Sequence, residues 1–176
     1  MNLVGMTYDQ LIEKAEKRGY ENELKYFGCS QAVVSALIET FGIGDANLLR
    51  ASTALAGGIA RRGNVCGALV GGILFIGLLV GRDDMEIFEQ YDRGQRYGGE
   101  LYKRFEQTFN TTICSEIQKT KFGKSFDMLT QEGRNEFIES GAHASDGCPV
   151  VTGTGARLTA ELMVEILKEE IGRAHV

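Results

Sequence analysis

The chain has 176 residues, of which 43% are hydrophobic and 24% are charged, and its net charge is −5. This length can form the full core of one domain, while the acidic balance and the lack of a basic block argue against nucleic-acid binding. Charged side chains interrupt the first twenty residues, so we expect no signal peptide, a cytoplasmic location and four reduced cysteines.

Polar caps, apolar positions at helical spacing and glycine stops predict three helices in the first third of the chain, at residues 8–19, 28–41 and 46–56. Thr7 and Asp45 are placed to cap the first and the third of these helices. Residues 20–27 either continue the first helix or form a short second piece.

The most apolar segment follows a turn of glycines and arginines at residues 57–63. Asn64 is placed to cap an uncharged helix from Val65 to Val80, with Cys66 in its first turn. The run is short of the roughly 20 apolar residues that usually cross a bilayer, so it predicts a central buried helix and no membrane span. Its glycines could serve a helix crossing within the chain or across a homodimer.

The second half predicts further helices. The longest is expected at residues 85–109, beginning after Asp83 or Asp84, and Thr112 is placed to cap a helix with Cys114 in its first turn. We expect a polar connection at residues 119–130, a short helix at 131–139 and a C-terminal helix to about Ile171, whose regular start is delayed by the glycines of residues 152–155. No segment alternates like a strand.

These patterns together predict an all-α protein. We expect one domain over residues 1–176, a multi-helix bundle around a central glycine-rich apolar helix at about residues 65–80.

The four cysteines are far apart in sequence but share a position: three fall at predicted helix starts, and the fourth precedes Pro149. Helix starts present unpaired N–H groups and the positive end of the helix dipole, and so stabilise anions. Four thiolates around iron and sulfide form such an anion. The candidate metal ligands are therefore Cys29, Cys66, Cys114 and Cys148, with inert burial as the alternative.

Four pieces of the chain form one cysteine pattern: Phe27-Gly28-Cys29-Ser30-Gln31-Ala32-Val33, Cys66-Gly67-Ala68-Leu69-Val70-Gly71, Ile113-Cys114 and Cys148. With this pattern the chain resembles the C_GCAxxG_C_C family of redox-active proteins, over roughly residues 27–170. The second piece departs from the cysteine pattern in the family's name, which has Gly-Cys-Ala where this chain has Cys-Gly-Ala.

The family is similar to the iron–sulfur portion of split-Soret cytochromes. The resemblance therefore implies a redox protein of the kind found in anaerobes, with its cysteines grouped around a cluster. Covalent haem is not expected, because the chain has no C-x-x-C-H and only two histidines, His143 and His175.

Four residues near the second cysteine are candidate cofactor contacts: Arg61, Arg62, Gly63 and Gly67. The arginines could screen a negative cluster or hold an anionic substrate, or they form a solvated turn. His143, near Cys148, could be a ligand or a proton donor, although a loop histidine is more often neither.

Three functions remain open at this stage. The first is electron transfer through an iron–sulfur cluster, with a redox partner protein. The second is thiol–disulfide exchange with Cys66 as the redox-active thiolate, which a helix start would favour. The third is a non-enzymatic helical dimer or scaffold with inert or zinc-bound cysteines.

Overall fold

The computed structural model describes residues 5–174, with side chains described for residues 5–171, so that His175 lies outside it. The described chain forms eight α-helices and one 3-10 turn at Thr53–Leu55, which confirms the all-α prediction. The helices are α1 (Tyr8–Tyr26), α2 (Cys29–Phe41), α3 (Ala46–Ala51), α4 (Gly67–Val80), α5 (Phe88–Phe109), α6 (Cys114–Phe122), α7 (Gln131–Glu139) and α8 (Cys148–Ala174).

The apolar helix α4 lies at the centre, as the sequence predicts. It packs against α2, α5 and α8, while α1 packs along α2 and α8. Leu69, Phe75 and Ile76 of α4 are almost fully buried. A Cβ atom at Gly71 would lie 2.6 Å from the carbonyl oxygen of Ser30, so this glycine permits the close crossing of α4 and α2 within one chain. None of the helices described is long and apolar enough to cross a membrane.

In the first third of the chain, the end of α1 agrees with one of the two predicted alternatives, and the end of α3 differs from the prediction. α1 continues without a break to Tyr26, and Thr7 caps it as predicted through a capping box with Gln10. α3 ends at Ala51 rather than Ala56, because the chain tightens into a 3-10 turn at the buried Ser52, whose carbonyl oxygen accepts a hydrogen bond from Ser30.

The start of α4 also differs from the prediction. The helix begins at Gly67 with Cys66 as its N-cap residue, and Asn64 does not cap it. The reason is tertiary: Val65 forms an isolated antiparallel bridge with Ile113, which holds residues 64–66 extended beside the start of α6.

In the second half, α5 begins at Phe88 because Asp84 caps a separate turn through the N–H of Glu86. α6 continues to Phe122, into the segment predicted as a polar connection. The longest helix is α8, with 27 residues, and it begins at Cys148 without the predicted delay. Close packing favours the regular start, since a Cβ at Gly155 would lie 3.1 Å from the Cβ of Ala68 in α4.

Candidate functional site

All four cysteines lie at helix starts. Cys29, Cys114 and Cys148 are the first residues of α2, α6 and α8, and Cys66 is the N-cap residue of α4. All four line one cavity of about 660 Å3. The structure therefore brings together four cysteines that are at least 34 residues apart in the sequence.

A two-sided bridge between chain segments places Cys66 beside Cys114. The N–H of Cys66 donates to the carbonyl of Thr112 at 2.8 Å, and the N–H of Cys114 donates to the carbonyl of Asn64 at 2.7 Å. These two bonds use one amide from each cysteine, and they connect the start of α4 to the start of α6.

The two remaining cysteines are positioned by special residues at the helix starts. Gly28 precedes Cys29 with φ of +78°, a conformation that glycine adopts without a steric penalty. Cys148 is held by its N–H, which donates to the carbonyl of Ala142 at 2.7 Å. Pro149 occupies the next position, where a helix does not need an N–H.

The thiols of Cys29 and Cys66 are neighbours, and Cys66 is the largest influence on the pKa of Cys29. Gly67 makes this proximity possible, since a Cβ there would lie 2.5 Å from the Sγ of Cys29 and 2.9 Å from the carbonyl oxygen of Leu55. Two donors approach the thiols: the N–H of Gly57 approaches Cys29, and Nε2 of Gln118 lies 3.6 Å from the Sγ of Cys114.

All four thiols are free, and three are held in the neutral form. Interaction with the neighbouring Cys66 thiol, followed by burial, raises the pKa of the Cys29 thiol well above its usual value. Burial raises the pKa of Cys114 to about 12 and that of Cys148 well above its usual value, and the neighbouring thiols add to both effects. Ligation of a metal cation would therefore displace protons from this site.

The turn at residues 57–63 forms part of the cavity wall in a strained conformation. Five consecutive residues, 57–61, have φ between +50° and +69°, and three of them are not glycine: Ile59, Ala60 and Arg61. Left-handed backbone costs about 1–2 kcal/mol for such residues, and strain of this kind clusters at functional sites. Hydrogen bonds across the turn hold it, including the N–H of Ala60 to the carbonyl of Ala54 at 2.7 Å.

The predicted cofactor contacts lie at different distances from the cavity. Arg61 and its exposed side chain line the mouth, and Gly67 lies against the Sγ of Cys29. Arg62 is exposed and does not line the cavity, while Gly63 packs against Ser115 of α6.

A buried acid–base pair lies in the same cavity. Glu23 is only 2% exposed, and its Oε1 lies 3.4 Å from Nδ1 of His143. Burial raises the pKa of the Glu23 carboxyl, although His143 opposes the shift. The ring of Phe27 lies over His143, with a centroid separation of 4.1 Å.

Sequence reasoning named His143 but missed Glu23. The signal was present, because Glu23 continues the buried face of α1 at four-residue intervals from Leu11, Ala15 and Gly19. A carboxylate in line with apolar residues marks a buried charge that needs a partner.

Comparison with known proteins gives one finding. Neither the search of curated proteins nor that of solved structures found a match. The model of the family described as "Putative redox-active protein (C_GCAxxG_C_C)" matches residues 27–162, which hold all four cysteines. On this match over most of its length, the chain belongs to the C_GCAxxG_C_C family of redox-active proteins.

Proposed function

We propose that the four cysteines bind an iron–sulfur cluster and that the protein transfers electrons to or from a redox partner protein. The observation that carries this proposal is the convergence of four thiols from four helix starts on one cavity. Four cysteine thiolates are the usual ligand set of such clusters. When bound, the cluster would supply a centre that stores and releases single electrons.

The arrangement favours a cluster over a single zinc ion. Among the side chains that the structure describes, no three His, Cys, Asp or Glu residues are grouped closely enough to hold one metal ion. Tetrahedral zinc with bonds of about 2.3 Å needs four sulfurs within about 4 Å of one another. A cluster distributes its cysteine ligands over several irons, so it tolerates a wider spacing of the thiols.

The chain's own groups would adjust the charge at such a site. The N–H of Gly57 and the amide of Gln118 would donate to the sulfurs of Cys29 and Cys114, as they do to the thiols. Hydrogen-bond donors to thiolate sulfur stabilise the reduced, more negative state of a cluster and so raise its reduction potential. Arg61 would add a positive charge at the mouth, and the buried apolar walls would keep water from the centre.

The proposal is tested on protein purified without oxygen. We expect brown protein with equal amounts of iron and acid-labile sulfide and no zinc, and loss of most of the colour when any of the four cysteines is replaced by serine. Replacing the half-buried Ser35 on α2, which does not line the cavity, by alanine is the matched control and should leave the colour unchanged. Colourless protein that takes up no iron and sulfide on anaerobic reconstitution would refute the proposal.

Thiol–disulfide chemistry is a second candidate, favoured by the proximity of the thiols of Cys29 and Cys66. Cys66 would attack a small disulfide and release one thiol. Cys29 would then attack the mixed disulfide and release the second thiol. The two cysteines each lose a proton and together give up two electrons, which the substrate disulfide gains. Because Cys66 is only 5% exposed, the substrate must be small enough to enter the cavity.

Mass spectrometry of cluster-free protein tests this candidate after incubation with a small disulfide. We expect a bond between Cys29 and Cys66, while Cys114 and Cys148 remain open to alkylation under denaturing conditions. A bond formed equally between other pairs would contradict a role for the Cys29–Cys66 pair.

A further inference from the structure

The cavity contains three buried polar atoms that have no hydrogen-bond partner within the described residues. They are Oε2 of Glu23, Oγ1 of Thr152 and Nδ1 of His143, which lies 3.4 Å from Oε1 of Glu23 in a geometry that is not a hydrogen bond. Thr152 is fully buried and lies one helical turn beyond Cys148, on the same face of α8. A buried polar atom without a partner costs about 1–3 kcal/mol, so three in one cavity indicate a ligand that satisfies them.

The part of the cavity wall next to His143 is aromatic. Phe137 packs edge-on against His143 with a centroid separation of 5.5 Å, and Phe122 packs edge-on against Phe137 at 5.9 Å. Phe27 lies over His143 near the mouth and is 49% exposed. Flat aromatic walls of this kind favour a planar, conjugated molecule.

Phe27 is also held in a conformation that normally requires glycine. Its φ of 62° and ψ of −173° fall in a region that side chains avoid. The fold maintains this strain while exposing a large apolar ring at the mouth of the cavity, where the ring gains little from burial. A ligand that covers the ring would remove its exposed apolar surface from water.

The cavity is large enough for an organic molecule. Its volume of about 660 Å3 lies within the range of about 300–1,000 Å3 typical of small-molecule sites. At the mouth, the Arg61 guanidinium is exposed and forms no ion pair among the residues described. A negative group on the ligand would pair with it.

We propose that the wall formed by Glu23, His143 and Thr152, together with Phe27, binds a planar conjugated carbonyl compound that carries an anionic group. The hydroxyl of Thr152 and an N–H of His143 would donate to a carbonyl oxygen, and the anionic group would lie toward Arg61. This goes beyond cluster binding, because it assigns a small organic ligand to the same cavity, in contact with residues other than the cysteines.

The test uses anthraquinone-2-sulfonate as the probe, because it is planar, carries two ring carbonyls and a sulfonate, and has no position at which thiols add readily. Calorimetric titration of full-length protein, both as isolated without oxygen and after removal of metal, should show one site with a dissociation constant on the order of tens of micromolar. Cyclohexanesulfonate, which has the charge without the flat ring, should not bind.

Two variants connect the binding to this wall. Phe27→Gly removes the ring and also relieves the backbone strain, so it should fold normally and bind the probe about tenfold more weakly. Thr152→Val keeps the shape and removes the unpartnered hydroxyl, so it should fold at least as stably and also bind more weakly. Phe88→Ala, which removes an exposed aromatic residue that does not line the cavity, is the control and should bind like the unchanged protein.

The outcomes separate this inference from the proposed cluster. Protein that contains iron and sulfide but shows no saturable binding of the probe in either form overturns the inference and leaves the cluster standing. Binding to protein that never takes up iron supports the inference and removes the cluster. Binding that is unchanged in both Phe27→Gly and Thr152→Val overturns the assignment to this wall.

Discussion

The substitution Gly67→Ala tests whether close contact at the start of α4 holds the cysteine site together. The added Cβ would lie 2.5 Å from the Sγ of Cys29, 2.9 Å from the carbonyl oxygen of Leu55 and 3.1 Å from the Cα of Ala56. The thiol can rotate away, but the backbone atoms cannot, so the 3-10 turn must separate from α4. Overpacking of this kind costs about 1–3 kcal/mol.

The higher helix propensity of alanine offsets part of this cost. Alanine is favoured over glycine by about 1 kcal/mol inside a helix, and by less at the first position that Gly67 occupies. We therefore expect a net loss of about 1–2 kcal/mol in the free energy of unfolding of the cluster-free protein. For a chain of this size the loss corresponds to a fall of roughly 2–8 °C in the midpoint temperature.

Gly77→Ala is the matched control on the same helix. A Cβ at Gly77 would have no atom within 4 Å, so this variant should gain up to about 1 kcal/mol from helix propensity alone. Urea unfolding of the cluster-free protein, followed by circular dichroism, measures the stability of both variants. An iron and sulfide assay on each variant purified without oxygen should show a loss in Gly67→Ala only. Equal stabilities and equal iron contents in the two variants would refute the packing argument.

Three further predictions concern the walls of the cavity. Because burial raises the pKa of Glu23 in the folded state, the folded protein loses stability as the pH rises above the usual carboxyl range. In urea unfolding, the stability of Glu23→Gln relative to the unchanged protein should therefore increase between pH 4 and pH 7. A stability difference that does not depend on pH would contradict this prediction. Ile59→Gly should raise the free energy of unfolding by about 1 kcal/mol, because glycine adopts the left-handed backbone of this position without strain. A lower midpoint temperature in thermal melts would show that the contacts of the Ile59 side chain outweigh the backbone strain. Removal of the cluster should speed amide hydrogen exchange at the four cysteine-bearing helix starts and leave residues 69–80 protected, and equal exchange in loaded and stripped protein would show that no shared centre holds those ends.

Local sequence signals predicted much of the helical framework because each depends on neighbouring residues. Thr7 with Gln10 forms a capping box, and Gly42 ends α2 in the left-handed conformation. The uncharged run of α4 predicted burial, since apolar surface stabilises a protein only when it is removed from water. Two of the errors in helix bounds fall where distant segments meet, at the bridge of Val65 with Ile113 and at the packing of Gly155 on Ala68.

The sequence by itself determined an all-α chain with a central apolar helix, and it placed Cys29 at a helix start and Cys66 and Cys114 close to one. Cap residues, glycine stops and the 3.6-residue period are local properties, so they can be read without the fold. Only the tertiary structure decided that these starts and that of α8 meet at one cavity, that the thiols of Cys29 and Cys66 are neighbours, and that Glu23 lies buried beside His143. Those contacts join residues up to 120 positions apart, as Glu23 and His143 are, and depend on how whole helices pack, which no local pattern records.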